Sequence, residues 1–413
     1  MKVLWFSVTP SMFDEKKYGG WIASLERIVE KYSEDIELAI AFEYKDDRFK
    51  VKKGKNTYYI IKEFNSISDR LKEKKQFDYK WNKIRPQMIK IIEDFKPDII
   101  QCFGSEWLYG LIAEYVDIPV VIHMQGFANI YNESSDMVFD DLEFMKCNNF
   151  NPKAMFTRLT NKKKNENNLA KERKLMKCNH YFMGRTKWDE LIVKYYSSSS
   201  NYYYCPEALR PEIYNSNIMW NLDGQKSNRL VTITQAGVLK GNEIILRTAR
   251  ILKEQFDFNY EWNVAGNPKA FEMAEKKTGI KHQDYNINLL GLIDAENVAK
   301  ELSMSTMYIH PAIIDNSPNS LCEAQVIGCP VVAANVGGIS SLVDDGKTGI
   351  LYPYNEPHML AFKIMDLCND RDFLNEISIN EKEIARKRHE PQKVFDILHK
   401  IYEEINNEYL RRR

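Results

Sequence analysis

The 413-residue chain predicts an α/β fold made of two successive domains with parallel sheets. Three observations carry this reading. Short β-branched runs alternate with helical periods. The alternation lapses in an aperiodic Ser/Pro/Tyr zone, "YYSSSSNYYYCPEALRPE", and then restarts. With 44% hydrophobic and 12% aromatic residues, each half has the material for its own core.

"KVLWFSV" reads as the first strand, followed by the turn Tyr18-Gly19-Gly20 and the helix "WIASLERIVEKY". "IELAIAF", "PDIIQCF", "IPVVIHM" and "NHYFMGR" are the next strands. After the aperiodic zone, "RLVTITQAG" is a strand, Lys240-Gly241 a turn and "NEIILRTARILKEQ" a helix with apolar residues on one face. "YEWNVAG", "INLLG", "MYIHP" and "PVVAANVGG" complete the second sheet, and "PQKVFDILHKIYEEINNEYLRRR" is one long amphipathic helix. The expected domains are 1–210 and 211–384, with the helix from about 385 to 413 packing back on the first. Two such units imply a cleft, with ligands beyond the carboxyl ends of the strands.

The formal net charge is zero, so nothing global argues for nucleic acid. Charge is asymmetric locally: from Lys146 to Lys177, ten lysines and arginines face two glutamates. That run does not fit the sheet pattern and reads as an insertion or a helix hairpin. The seven cysteines form no metal-ligand spacing and no even disulfide framework, which fits a reducing compartment. "MKVLWFSVTP" lacks the longer apolar core of a signal peptide, and no apolar span reaches membrane-crossing length. The expectation is a cytoplasmic protein.

"DNSPNSLCEAQVIGCPVV", Asp315 to Val332, carries the most chemistry. "YIHP" ends a strand, so Asp315 lies in a loop at its carboxyl end. Ser317 is a good N-cap and Pro318 a natural first helical residue. The N–H groups of Asn319, Ser320 and Leu321 would then point out of the helix end, where the dipole favours a phosphate. Glu323 offers two acceptors, matching two vicinal hydroxyls such as those of a ribose. Read this way, the stretch holds a sugar nucleotide, with the hexose toward Asp315. The spacing alone is equally compatible with an ordinary loop acid and an ordinary helix acid.

A resemblance weights the first reading. The stretch and its continuation "EAQVIGCPVVAANVGGISSLVDDGKTGILY" are similar to the E-x7-E signature and following helix, strand, double glycine and "DG-x-x-G" turn of retaining glycosyltransferases of family 4. That family has the GT-B fold of two facing Rossmann-like domains. "SPNS" and "MGRTKWDE" resemble a bacterial subgroup that builds surface polysaccharides. The likeness is best over about 230–355 and collinear but weaker in the N-terminal half.

The resemblance implies a catalytic set of Asp315, His123 and Lys240. Asp315 matches the first acid, against the donor sugar, although it is one methylene shorter than the family's glutamate. Lys240, in "AGVLKGNE", matches the lysine that neutralises the donor diphosphate. The arginine usual just upstream is replaced by "AGV". His123 matches a histidine that meets the donor sugar from the N-terminal domain, and a satisfied strand-end histidine is as good a reading. Donor binding falls to Glu323 at the ribose, to Asn319, Ser320 and Leu321 at the diphosphate, and to Gly291 beside the base. Pro318 stands where many members have a glycine. Gly19 and Gly20 match the glycine-rich first loop. Tyr18 and Trp21 are candidates to stack on an acceptor sugar, or core residues. Arg185 is a candidate for an acceptor phosphate, or a structural pairing residue.

The implied domains are an acceptor-binding N-terminal half and a sugar-nucleotide-binding C-terminal half. The implied reaction is retaining transfer of a hexose-type sugar, from UDP or GDP, to a glycan or polyprenyl-diphosphate-linked glycan. No metal or other cofactor is expected. The only D-x-D, Asp370-Arg371-Asp372, reads as solvated surface. The basic run suits a solvated helical face or peripheral contact with an anionic membrane. A sugar-nucleotide epimerase of the same fold and a non-catalytic sugar-nucleotide-binding or scaffold protein are the alternatives. A dinucleotide dehydrogenase finds no G-x-G-x-x-G after a strand.

Overall fold

The computed structural model describes residues 1–14, 20–64, 66, 68, 69, 72, 73, 76, 78–224, 227–234 and 237–412. The chain divides into two units. The first comprises 1–130, 156–208 and 389–413, and the second 131–155 and 209–388.

The first unit holds eight strands: β1 Lys2–Phe6, β2 Glu37–Tyr44, β3 Lys50–Lys53, β4 Asn56–Lys62, β5 Ile99–Phe103, β6 Val120–His123, β7 Tyr181–Gly184 and β8 Asn201–Tyr204. Their order is β3-β4-β2-β1-β5-β6-β7-β8. All neighbours are parallel except β3 and β4. A parallel sheet is covered on both faces, so its central strands are apolar throughout. In β1 the alternation sends Leu4 and Phe6 into one core and Val3 and Trp5 into the other. The second core also takes Leu398, Tyr402 and Ile405 of the helix Pro391–Arg412, which lies against the helix Trp21–Tyr32.

The sequence reading missed β3, β4 and β8. The first two form a hairpin around Gly54, and β3 is too polar to show a buried alternation. The edge strand β8 lies inside the zone taken as an aperiodic linker. Its four residues, "NYYY", are all at least partly exposed, so no apolar face marks it.

The second unit holds β9 Arg229–Ile233, β10 Glu261–Ala265, β11 Ile287–Gly291, β12 Met307–His310, β13 Val331–Ala334 and β14 Ile350–Tyr352. They form a wholly parallel sheet in the order β11-β10-β9-β12-β13-β14. Residues 131–155 cluster here and not with the 1–210 stretch expected to contain them. Lys277 is one reason: its ammonium, largely enclosed, meets Glu143 at 3.4 Å and Glu243 at 3.0 Å. The basic run 146–177, expected as an insertion or a helix hairpin, starts at the end of the helix Asp141–Cys147. Most of it is one helix, Pro152–Cys178, whose Leu175 and Met176 anchor it in the first unit's core.

The helix Arg371–Arg388 packs on Asn319–Ile327, where the Ser378 hydroxyl donates to the Gly328 carbonyl at 2.6 Å. One turn on, Glu381 is fully buried, and neither carboxyl oxygen has a side-chain hydrogen-bond partner among the described residues. Burial pushes this carboxyl well above the usual carboxylate range. A carboxyl raised in the folded state favours folding at low pH, and that contribution is lost as pH rises toward its folded value. Glu381→Gln should therefore raise the melting temperature more at pH 8 than at pH 5. An equal change at both pH values would contradict this state of Glu381.

Candidate functional site

The second unit's site grows from the carboxyl end of β12. Two glycines let backbones close around the loop that follows. Gly241 has φ +76°, and a Cβ there would lie 1.8 Å from the Pro311 carbonyl oxygen. Gly337 has φ +52°, and its Cβ would lie 1.9 Å from the Asp315 carbonyl oxygen. No L side chain fits either place. With these approaches made, the Ile313 N–H bonds the Leu239 carbonyl at 2.8 Å and the Gly338 N–H bonds that of Asp315 at 3.0 Å. Lys240 and Asp315, 75 residues apart, are thereby brought side by side.

Lys240 Nζ donates to Asp315 Oδ2 at 2.7 Å. His310 Nε2 approaches the same oxygen at 3.3 Å, without good hydrogen-bond alignment. The Asn316 N–H donates to Oδ1 at 3.1 Å. Asp315 is 8% exposed. Burial alone would raise its carboxyl, but Lys240 and then His310 outweigh it and hold the group well below the usual carboxylate range. Tyr308, two residues before His310 and on the same face of β12, joins His310 Nδ1 at 3.1 Å to Ser320 Oγ at 2.8 Å. Burial keeps the Tyr308 hydroxyl protonated far above neutral pH. One polar line thus runs from Lys240 through Asp315, His310 and Tyr308 to Ser320.

The helix after this loop begins one residue later than expected. Its N-cap is Pro318, with ψ 125°, and Asn319 is the first helical residue. Ser317 is therefore not the cap, because the chain stays extended through Pro318. The Pro318 carbonyl accepts from the Leu321 and Cys322 N–H groups at 3.1 and 3.2 Å. Leu321 is thus committed inside the helix. The N–H groups of Asn319 and Ser320 have no backbone acceptor among the described residues. Gly328, at φ 84°, stops the helix as expected.

Glu323, 2% exposed, meets Arg210 in a two-pronged ion pair, Nε to Oε1 and an Nη to Oε2, both at 2.7 Å. Gly291 closes β11 at φ +72°, and its carbonyl accepts from Gly266 N–H at 2.8 Å. It stands three strands from β12 in the same sheet. Arg210, His310 and Tyr308 escaped the sequence reading. The i, i+2 spacing of Tyr308 and His310 before an acidic loop was the available signal for two of them.

In the first unit, His123 ends β6 and is 1% exposed. Phe103 stacks on its ring at 5.6 Å and Trp21 meets it edge-on at 4.9 Å. Gly20, at φ 144°, is the N-cap of the helix that Trp21 opens. Tyr18 and Gly19 lie outside the described residues. The Arg185 guanidinium lies over Trp21 at 4.9 Å, bonds Glu207 at 3.1 Å, and donates to the carbonyls of Met124 and Gln125. Only 4% of Arg185 is exposed, so structural pairing absorbs its charge. Glu106, beyond the carboxyl end of β5, was not anticipated. Burial and then the charge of Glu172 push its carboxyl up to about 7, and its Oε2 has no hydrogen-bond partner among the described residues.

Two α/β units, one built on a largely parallel sheet and one on a wholly parallel sheet, match the GT-B class of structures. The fold is similar to sucrose-phosphate synthase from Thermosynechococcus elongatus, with TM-score 0.74 and 14% identity over 98% of both chains. It is also similar to Anabaena HepE in complex with UDP-glucose, with TM-score 0.65 and 14% identity over 98% of this chain and 100% of that one. Residues 220–384 match the family described as Glycosyl transferases group 1. An uncharacterized glycosyltransferase of Methanocaldococcus jannaschii is 27% identical over 168 residues, 41% of this chain and 46% of that one. The chain thus spans less than half the length of that curated relative.

Removing one member of an enclosed ion pair strands its partner's charge. Lys240→Met should lower unfolding stability at pH 7 by about 3 kcal/mol. Adding Asp315→Asn to that variant should recover part of the loss. Urea titration of the two variants checks this, and a Lys240→Met protein as stable as wild type would contradict the pairing.

Proposed function

We propose that the chain is a retaining glycosyltransferase that moves a hexose-type sugar from UDP or GDP to a glycan or lipid-linked glycan in surface-polysaccharide synthesis. The observation that carries this reading is the charge-compensated line Lys240–Asp315–His310 beside the open N–H groups of Asn319 and Ser320. Lys240 and these amides supply a cation and two donors for a diphosphate, and they stabilise the charge that grows on it as it leaves. Asp315 is the hexose acceptor of hydrogen bonds, held ionised chiefly by Lys240. Each Glu323 oxygen takes one bond from Arg210 and retains a second lone pair for a ribose hydroxyl.

In the reaction, the bond from the anomeric carbon to the diphosphate oxygen breaks. The acceptor oxygen bonds the same face of the sugar, and its proton passes to the departing diphosphate. Both acids bind and orient, so positioning and charge stabilisation supply the catalysis. A glycosidase-type pair of facing carboxylates is not needed. Lys240 and the helix end do the neutralising, so the mechanism requires no metal.

No described helix is long and apolar enough to cross a membrane. The helix Pro152–Cys178 exposes Phe156 and Leu159 beside Arg158, which suits peripheral contact with an anionic bilayer at the cytoplasmic face, where a polyprenyl-linked acceptor resides.

Thermal melting with UDP, GDP, ADP and their sugars tests the donor assignment. One nucleotide series, at a hundredfold excess over its Kd, should raise the melting temperature by about 5 °C. Glu323→Ala should lose that shift, and Lys240→Ala should lose more of it for the diphosphate than for the nucleoside. No shift in wild type, or an undiminished one in Glu323→Ala, would overturn the assignment.

A further inference from the structure

A line of four fully buried polar side chains crosses the first unit and ends on His123. Trp5 Nε1–H on β1 donates to the Tyr402 hydroxyl of the C-terminal helix at 2.9 Å. The Tyr402 hydroxyl in turn donates to Gln101 Oε1 on β5. With that oxygen engaged, the other end of the amide, Nε2–H, faces His123 Nδ1 at 3.2 Å. An amide NH2 only donates, so Nδ1 must be the acceptor and the ring proton sits on Nε2. Burial, and then the nearby Arg185 charge, hold the imidazole well below its ordinary range, so it carries no second proton at neutral pH. Nε2 is buried and has no hydrogen-bond partner among the described residues.

We propose that Gln101 and Tyr402 are positioning residues that lock the proton of His123 on Nε2, so that the ring presents a permanent N–H donor to a hydroxyl oxygen of the sugar substrate. The inference rests on the transfer reading for its substrate, but the relay itself stands on the geometry of one unit. It also assigns what His123 does not do. Neither nitrogen is open to take a proton, since Nδ1 is occupied and Nε2 is already protonated. His123 therefore orients a hydroxyl and does not act as a general base. The C-terminal helix enters the chemistry through Tyr402, far along the chain from every motif residue.

Histidine-selective 15N labelling reads the tautomer directly, with the His123 signal assigned by its loss in His123→Gln. Wild type should show the Nε2–H pattern from pH 6 to 8. Gln101→Glu replaces the donor at Nδ1 with an acceptor, and should move the proton to Nδ1. Tyr402→Phe frees the amide to turn, and should give a mixture of the two patterns. Both variants alter few atoms, and a retained melting shift with nucleotide shows that each remains folded. In both, kcat/KM for transfer should fall about tenfold, the effect of one lost hydrogen bond in the transition state. An Nδ1–H pattern in wild type, or no change in Gln101→Glu, would overturn the relay. A moved proton with transfer undiminished would overturn its role toward the sugar. Absence of transfer in wild type with the expected tautomers would count against the proposed function and leave the relay supported.

Discussion

A carboxylate taken out of water persists as an ion only where cations and donors meet it. Asp315 is such a group, and much of the second unit's local architecture answers to it. Two glycine-only approaches, at Gly241 and Gly337, close the backbone around its loop. Lys240 and His310 share its Oδ2, and Tyr308 carries the line onward to Ser320 in the first turn of the next helix. Loop, strand end and helix start are therefore one electrostatic unit, and a change at any member is felt by the others.

Glu323 obeys the same rule by a different partner. Less than two turns into the helix, it is held by both prongs of Arg210, which fixes the carboxylate while leaving lone pairs on each oxygen. The first unit also gives Arg185 and Glu172 close partners. Arg185 is absorbed by Glu207, and Glu172 accepts from Ser105, Ala128 and Asn129, tying one loop and the start of the helix Ala128–Val138 to the long basic helix. Against that background His123 Nε2 is buried and has no hydrogen-bond partner among the described residues.

The sequence made most strands and the Gly328 stop legible because each is signalled locally, by alternation or by a terminator, whereas Lys240, Asp315 and Glu323 were singled out through the family resemblance. It did not reveal partners set by distant pairing. Arg210 lies 113 residues from Glu323, and Trp5 lies 397 from Tyr402. His310 and Tyr308 were hidden in a strand whose burial looked purely apolar. The Pro318 cap was misjudged by one residue because Ser-Pro reads equally well in either register. Strands β3 and β8 failed to show because a polar hairpin arm and a half-exposed edge carry no buried face.

The proposed transfer depends most on the donor diphosphate sitting at the Lys240–Asp315 cluster. A crystal structure with an intact nucleotide sugar would decide it. Diphosphate oxygens should lie within hydrogen-bond reach of Lys240 Nζ and the Asn319 and Ser320 N–H groups, with ribose hydroxyls on Glu323. A nucleotide bound elsewhere, with the Glu323 carboxylate meeting only Arg210 and no phosphate at the helix end, would contradict it.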